Sequence, residues 1–392
     1  MFYLPLLFKS RTGVYRARAM KAIFQILTIF LFVCSLPAGA AIQIGAVYCN
    51  SGAQAVLDEP SWRGAQLAVA EINKAGGIRG EQVELVRISG NSSAADLKAN
   101  VAAFLEKNQL AGMVGLSDSD LALAAAHQAV KRGVPFVTSG ASSPKLPGFL
   151  SSGFYMACFG DNVQAALAAE WLAQAKGGKT ASIIYDPAFT YTRLLKSYFS
   201  KAFRRGGGKI SSTLSYTPGQ SLLVGPAILK ADAIFLATGS AADAMPVIRQ
   251  LRSMGFPGAI VGGDSYDNPP AWMNNPAARD VFFTTHAFPT SHTASAAFVR
   301  SYKRAFRTNP DSFSALGYDA TRVLLAGIEK SKDAKPKNVR AALASGIQVD
   351  GLTGPIILNK SQRIPKKPVA LVDASKPDNR KLQITPTLVP AP

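Results

Sequence analysis

Four short loops carry the residues with the most chemical promise. The first reads Ser117-Asp118-Ser119-Asp120 and the second Gly140-Ala141-Ser142; the third holds Asp186 and Tyr191, and the fourth is Gly263-Asp264-Ser265. Hydroxyls beside the free N–H groups of a helix N-terminus suit a carboxylate or another anion. A carboxylate such as Asp264 suits an ammonium. Taken singly, each has a plainer role: Ser117 or Ser119 is a natural cap for a helix beginning near Leu121, and Asp264 is a common type of turn residue. Catalysis finds no comparable set. The three histidines, His127, His286 and His292, show no metal-ligand spacing and read as structural or surface residues. The sequence has no Gly-x-Ser-x-Gly elbow, no phosphate-binding loop and no Gly-x-Gly-x-x-Gly opening a helix. The chemistry on offer is non-covalent capture; no enzyme activity, cofactor or metal is expected.

These loops fall at the ends of a repeating strand and helix pattern. Apolar runs at 41–48, 110–115 and 134–138 and the alternating run at 81–88 read as strands. Helical periodicity separates them, with Trp62, Ala65, Val69 and Ile72 on one face and Gly76-Gly77 as a stop. Further helices are expected at 94–108 and 121–132. A second series follows Cys158, with strands at 180–185, 209–216, 231–238, 258–262 and 281–287. Its helices fall at 163–176, 190–204, 242–254, 294–306 and 314–331. Such alternation predicts parallel sheets covered by helices on both faces. Two series of similar length predict two α/β lobes. In open sheets of this kind the loops beyond the strand carboxyl ends form the ligand crevice, which is where the four loops lie.

With 392 residues the chain can build two full cores, and 48% hydrophobic with 17% charged residues is a globular balance. The net charge of +19 invites a nucleic-acid reading, but the basic residues are scattered and no nucleic-acid module accompanies them. The first forty residues differ from the rest. Lys9, Arg11, Arg16, Arg18 and Lys21 precede an apolar run from Ala22 to Leu36, and Ala38 and Ala40 stand at the −3 and −1 positions of a cleavage point. That is the form of a secretory signal peptide, residues 1–40, with Met20 as an alternative start. The apolar run is short of the roughly 20 residues a membrane span needs. A soluble, exported monomer is expected. Cys49 and Cys158 remain after cleavage, and an oxidising destination permits either a disulfide between them or two free thiols.

The stretch GAQLAVAEINKAGGIRG at 64–80 resembles the first helix and turn of type I periplasmic binding proteins of the leucine/isoleucine/valine-binding kind. The likeness continues through VPFVTSGASSPKL at 134–146, IIYDPAFTY at 183–191 and VIRQLRSMGFPGAIVGGDS at 247–265. It implies two Rossmann-like lobes joined by three crossovers, with lobe 1 at 41–160 plus about 289–345 and lobe 2 at 161–288 plus about 346–372; the C-terminal tail at 373–392, with four prolines and several charges, reads as a surface strand or a loose end. It also implies capture of an amino acid or related solute for an ABC transporter permease in the inner membrane, in the periplasm. A sensory ligand-binding module of the same fold is the alternative. Carried over residue by residue, the resemblance places Ser119 or Ser117 with Gly140, Ala141 and Ser142 on the ligand's carboxylate. Tyr191 would then cover the ligand and Asp264 meet its ammonium. Departures from the family pattern are Cys49 for a proline, Ser89-Gly90-Asn91 for an acidic pair, and Gly239-Ser240 where a tyrosine is usual.

Overall fold

The computed structural model describes residue 1 and residues 41–150, 152–286, 293–376 and 382–392, so the leader and His292 lie outside the described residues. Strands β1 (Ile42–Cys49), β2 (Val83–Gly90), β3 (Gly112–Gly115), β4 (Phe136–Thr138) and β5 (Phe154–Met156) form a sheet ordered β2-β1-β3-β4-β5. Every pairing in it is parallel. The strands are apolar along most of their length because helices cover both faces. Helices α1 (Ala55–Lys74), α2 (Ala94–Lys107) and α3 (Ser119–Lys131) make the crossovers of this first lobe.

At residues 157–160 the chain passes into a second lobe. There α4 (Asp161–Ala175), β6 (Thr180–Tyr185), α5 (Thr190–Arg205), β7 (Lys209–Ser215), β8 (Ala233–Ala237), α6 (Ala241–Ser253), β9 (Ala259–Gly262) and β10 (Val281–His286) follow in turn. After His286 it returns to lobe 1 as α7 (Thr293–Phe306), α8 (Ser312–Lys330) and α9 (Pro336–Ala344). Next comes an antiparallel hairpin of β11 (Ile347–Gly351) and β12 (Gly354–Leu358). A third crossover at 359–368 leads to β13 (Val369–Asp373) and β14 (Leu382–Ile384), which extend the second sheet to β14-β13-β10-β9-β8-β6-β7. The α/β fold of two parallel-sheet lobes is as the sequence predicts.

Two boundaries move. The β11–β12 hairpin, expected in lobe 2, packs in lobe 1, where Ile347, Val349, Ile356 and Leu358 share a buried core with Ile44 and Val114. The C-terminal tail takes the strand alternative and is tied down: β14 pairs with β13, Asn162 Nδ2 donates to the Pro390 carbonyl (2.8 Å), and Glu170 Oε1 accepts from the Thr387 N–H (2.7 Å). Cys49 and Cys158 are both free and buried, so the disulfide alternative fails. Cys49 ends β1 and Cys158 follows β5, with β3 and β4 between them. Three strand spacings of about 4.8 Å separate them, beyond the roughly 4.4–6.8 Å between Cα atoms that a disulfide spans.

Lobe 1 is locked by the contact of α1 with α8. A Cβ on Gly64 would overlap the Ser314 carbonyl oxygen, and one on Gly317 would overlap that of Ser61. The two glycines let the helix backbones touch, and Ser61 Oγ donates to the Phe313 carbonyl at 2.8 Å across the seam. That contact holds Phe313, the second residue of α8, over the carboxyl ends of the lobe 1 strands.

Candidate functional site

The strand-end loops of the two lobes face one another across a cleft with about 350 Å³ of empty space, counting the part open to solvent. Lobe 1 contributes Gln54, Leu57, Ser117, Asp118, Gly140, Ser142 and Phe313, and lobe 2 Phe189, Tyr191, Gly239, Asp264 and Ser265. Of the seven residues singled out from sequence, Ser117, Gly140, Ser142, Tyr191 and Asp264 line this cleft. Ser119 and Ala141 do not. Ser119 is buried, its Oγ accepting from the Ser143 N–H (3.2 Å), and the Ala141 carbonyl accepts from the Cys158 thiol (3.3 Å).

On the lobe 1 side, Asp118 is the cap of α3, rather than Ser117 or Ser119. Its Oδ1 accepts from the N–H groups of Asp120 and Leu121, both at 2.9 Å. Ser117 is half-buried on the cleft wall, its hydroxyl beside the Asp58 carboxyl. Gly140 shapes the wall: a Cβ there would press on the Phe313 ring at 3.0 Å and on Ser117 at 3.2 Å. Its N–H is already taken by the Leu116 carbonyl (3.2 Å), and that of Ala141 points at Thr138 Oγ1 (3.4 Å). Hydroxyls, more than free backbone N–H groups, are thus what this loop offers a ligand.

On the lobe 2 side, Asp264 begins a 3-10 turn directly after β9 and is almost fully buried. Oδ1 accepts from Tyr191 OH (2.8 Å) and Gln164 Nε2 (2.9 Å), while Oδ2 lies 3.2 Å from His286 Nε2. Gln164 Oε1 in turn accepts from the Asp264 N–H (3.0 Å) and from Thr284 Oγ1 (2.9 Å). Burial lowers the His286 pKa, so the neutral ring donates Nε2–H to the carboxylate, and Nδ1 has no partner. The ring stacks on Phe159, centroids 3.9 Å apart. Sequence gave His286 an ordinary structural role, because a lone histidine has no spacing signal; its place at the end of β10 brings it beneath Asp264.

Behind the lining lie two more carboxylates. Asp58, fully buried on α1, accepts from the Cys49 N–H (2.9 Å), and burial pushes its pKa up to about 6. Asp161 opens α4 with Oδ1 on Gln164 Nε2 (3.0 Å); burial, reinforced by Asp264, raises it to about 8. Asp118 is likewise raised to about 6 by burial. Among the described residues no Lys, Arg or His lines the cleft. Phe189, in the loop before α5, leans on Gly239, where a Cβ would sit 3.0 Å from its ring. With Leu57 and Phe313 it makes the apolar part of the wall.

Two lobes joined by three crossovers, with a polar cleft between their strand ends, define a solute-binding protein, a trap that closes on a small molecule. The comparisons agree. The sequence pattern of the family described as "Periplasmic binding protein" matches residues 41–379, and the chain belongs to that family. A Leu/Ile/Val-binding protein homolog of Brucella melitensis is 28% identical over 301 residues, covering 74% of this chain and 80% of its own. The Leu/Ile/Val-binding protein BraC3 of Rhizobium johnstonii is also 28% identical, covering 81% and 88%. Among solved structures, a leucine-binding protein of Thermotoga maritima superposes with a TM-score of 0.76 at 26% identity, over 84% of this chain and 95% of that one. A benzoate-bound solute-binding protein of R. palustris reaches 0.75 at 20% identity, over 88% and 96%, and shares the fold. The family consists of transport receptors, so the protein is a solute-binding component and not an enzyme.

Proposed function

We propose that the protein is exported through a cleavable leader at residues 1–40, encloses an amino-acid-like solute as a monomer, and delivers it to an ABC transporter permease. The observation that carries the ligand class is the pairing of Asp264 from lobe 2 with the hydroxyls of Ser117 and Ser142 from lobe 1 in one cleft. An ammonium enclosed between the lobes loses its water and needs a carboxylate beside it. Tyr191 fixes the orientation of Asp264 and walls the ligand in. Phe189, Phe313 and Leu57 accept its apolar part. Ligand contacts from both lobes stabilise only the closed state, so binding and closure are one event. The names of the relatives, Leu/Ile/Val-binding proteins, support the same class. Mass spectrometry of the solute that co-purifies with the mature protein tests the reading. An amine-bearing metabolite is expected; a sugar or an inorganic anion would overturn it.

A further inference from the structure

The charge of the cleft narrows the ligand further, on the footing of the amine reading above. Among the described residues Asp118 and Asp264, one from each lobe, are the ionisable side chains of the wall apart from Tyr191, and no cationic side chain lines it. Asp58 and Asp161 stand behind with no exposure at all, beside the Ser117 and Ser142 hydroxyls respectively. His286 beneath Asp264 is held neutral by burial, and Lys367 is committed to Asp319 in lobe 1. A free carboxylate seated at Ser117 and Ser142 would meet Asp118 directly, a like-charge contact without water to screen it.

We propose that the cleft selects an amine of net positive charge, whose far end is uncharged or itself cationic, in preference to a zwitterionic amino acid. The far end would give hydrogen bonds to Asp118 and Ser117 while the ammonium faces Asp264, so that one cation ties a carboxylate of each lobe.

One carbon skeleton in three charge states supplies the test. Leucinamide, leucine and 4-methylpentanoate are titrated into the mature protein by calorimetry, with agmatine and putrescine as further cations. Leucinamide or one of the two other cations is expected to bind at least about tenfold more tightly than leucine, and 4-methylpentanoate least. In Asp118→Asn the amide oxygen still caps α3, so the fold is kept, and the preference for cation over leucine should shrink about tenfold. Leucine binding as tightly as every cation, or an unchanged preference in Asp118→Asn, overturns the inference and leaves the amino-acid reading intact. If none of the five compounds binds, the amine reading falls with it.

Discussion

Replacing Asp264 by asparagine keeps an acceptor for Tyr191 and Gln164 and removes the charge. Truncating one partner of a buried charge pair costs about 2–5 kcal/mol, so affinity for the amine should fall at least about 30-fold by calorimetry. Alanine is the poorer probe, because Gln164, Tyr191 and His286 all address this side chain and would be left unpaired in the core. Asp161 offers a second test, in the unliganded protein. Its folded pKa, about 8, lies above the 3.8 of an ordinary aspartate. The folded state therefore favours the protonated acid, and stability present below about pH 4 is lost as the pH rises through 8. Asp58 and Asp118 act in the same sense up to about pH 6, and His286 in the opposite sense below 6.5. The readout is accordingly a difference: Asp161→Asn should lose less melting temperature between pH 4 and 8 than the unaltered protein. Parallel curves would mean that Asp161 ionises freely.

Helix α5 begins at Thr190, and its N-cap residue is Phe189, which has no side-chain acceptor to give. The acceptor comes from the other lobe: Asp120, in the first turn of α3, takes the Thr190 N–H at 3.1 Å. A helix of lobe 2 is thereby capped by lobe 1, and only while the lobes are together. Capping bonds contribute about 0.5–2 kcal/mol, so Asp120→Ala should speed ligand release by roughly 2- to 30-fold in stopped-flow measurements, although Asp120 is not part of the cleft wall. Equal release rates would remove the latch. This cap was hidden from sequence reasoning, since a cap in trans leaves no local pattern. The same limit explains what was legible elsewhere. Gly239, Gly263-Asp264-Ser265 and Ser117 sit at strand ends fixed by hydrophobic periodicity, and they fall where that periodicity puts them. Gln54, Leu57 and Phe313 belong to helices or their approaches, and reach the cleft only through tertiary packing. Residues 346–358 were assigned to lobe 2 by the resemblance alone; their alternation, even where read, would show a half-buried pair without showing which core it covers.

At the scale of the molecule, the third crossover is pinned by a buried lysine. Lys367 Nζ donates to the Ala157 carbonyl of the first crossover (2.8 Å) and lies 3.6 Å from Asp319 on α8, both side chains fully enclosed. Asp319 also accepts from the N–H groups of Leu352 (2.7 Å) and Thr353 (3.0 Å), so one carboxylate holds the hairpin turn and the hinge. Breaking such a pair costs about 3–5 kcal/mol. Lys367→Ala should lower the melting temperature by several degrees, and Lys367→Met, which fills the volume, by no less while Asp319 stays unpaired. A variant melting with the unaltered protein would show the pair to be dispensable.

The seam between α1 and α8 has a consequence in time. All five strands of the lobe 1 sheet are complete by residue 156, but α8, which covers one face of that sheet and meets α1 at Gly64 and Gly317, ends only at Lys330. A chain emerging amino-terminus first therefore holds a sheet with one bare apolar face until nearly its whole length has appeared. Loop closure over some 250 residues makes that step slow. In the export proposed above, that delay would keep the chain pliable during transit. A fragment ending at residue 290 should accordingly remain loosely packed and bind a hydrophobic dye such as ANS, which the complete chain sheds as α8 docks.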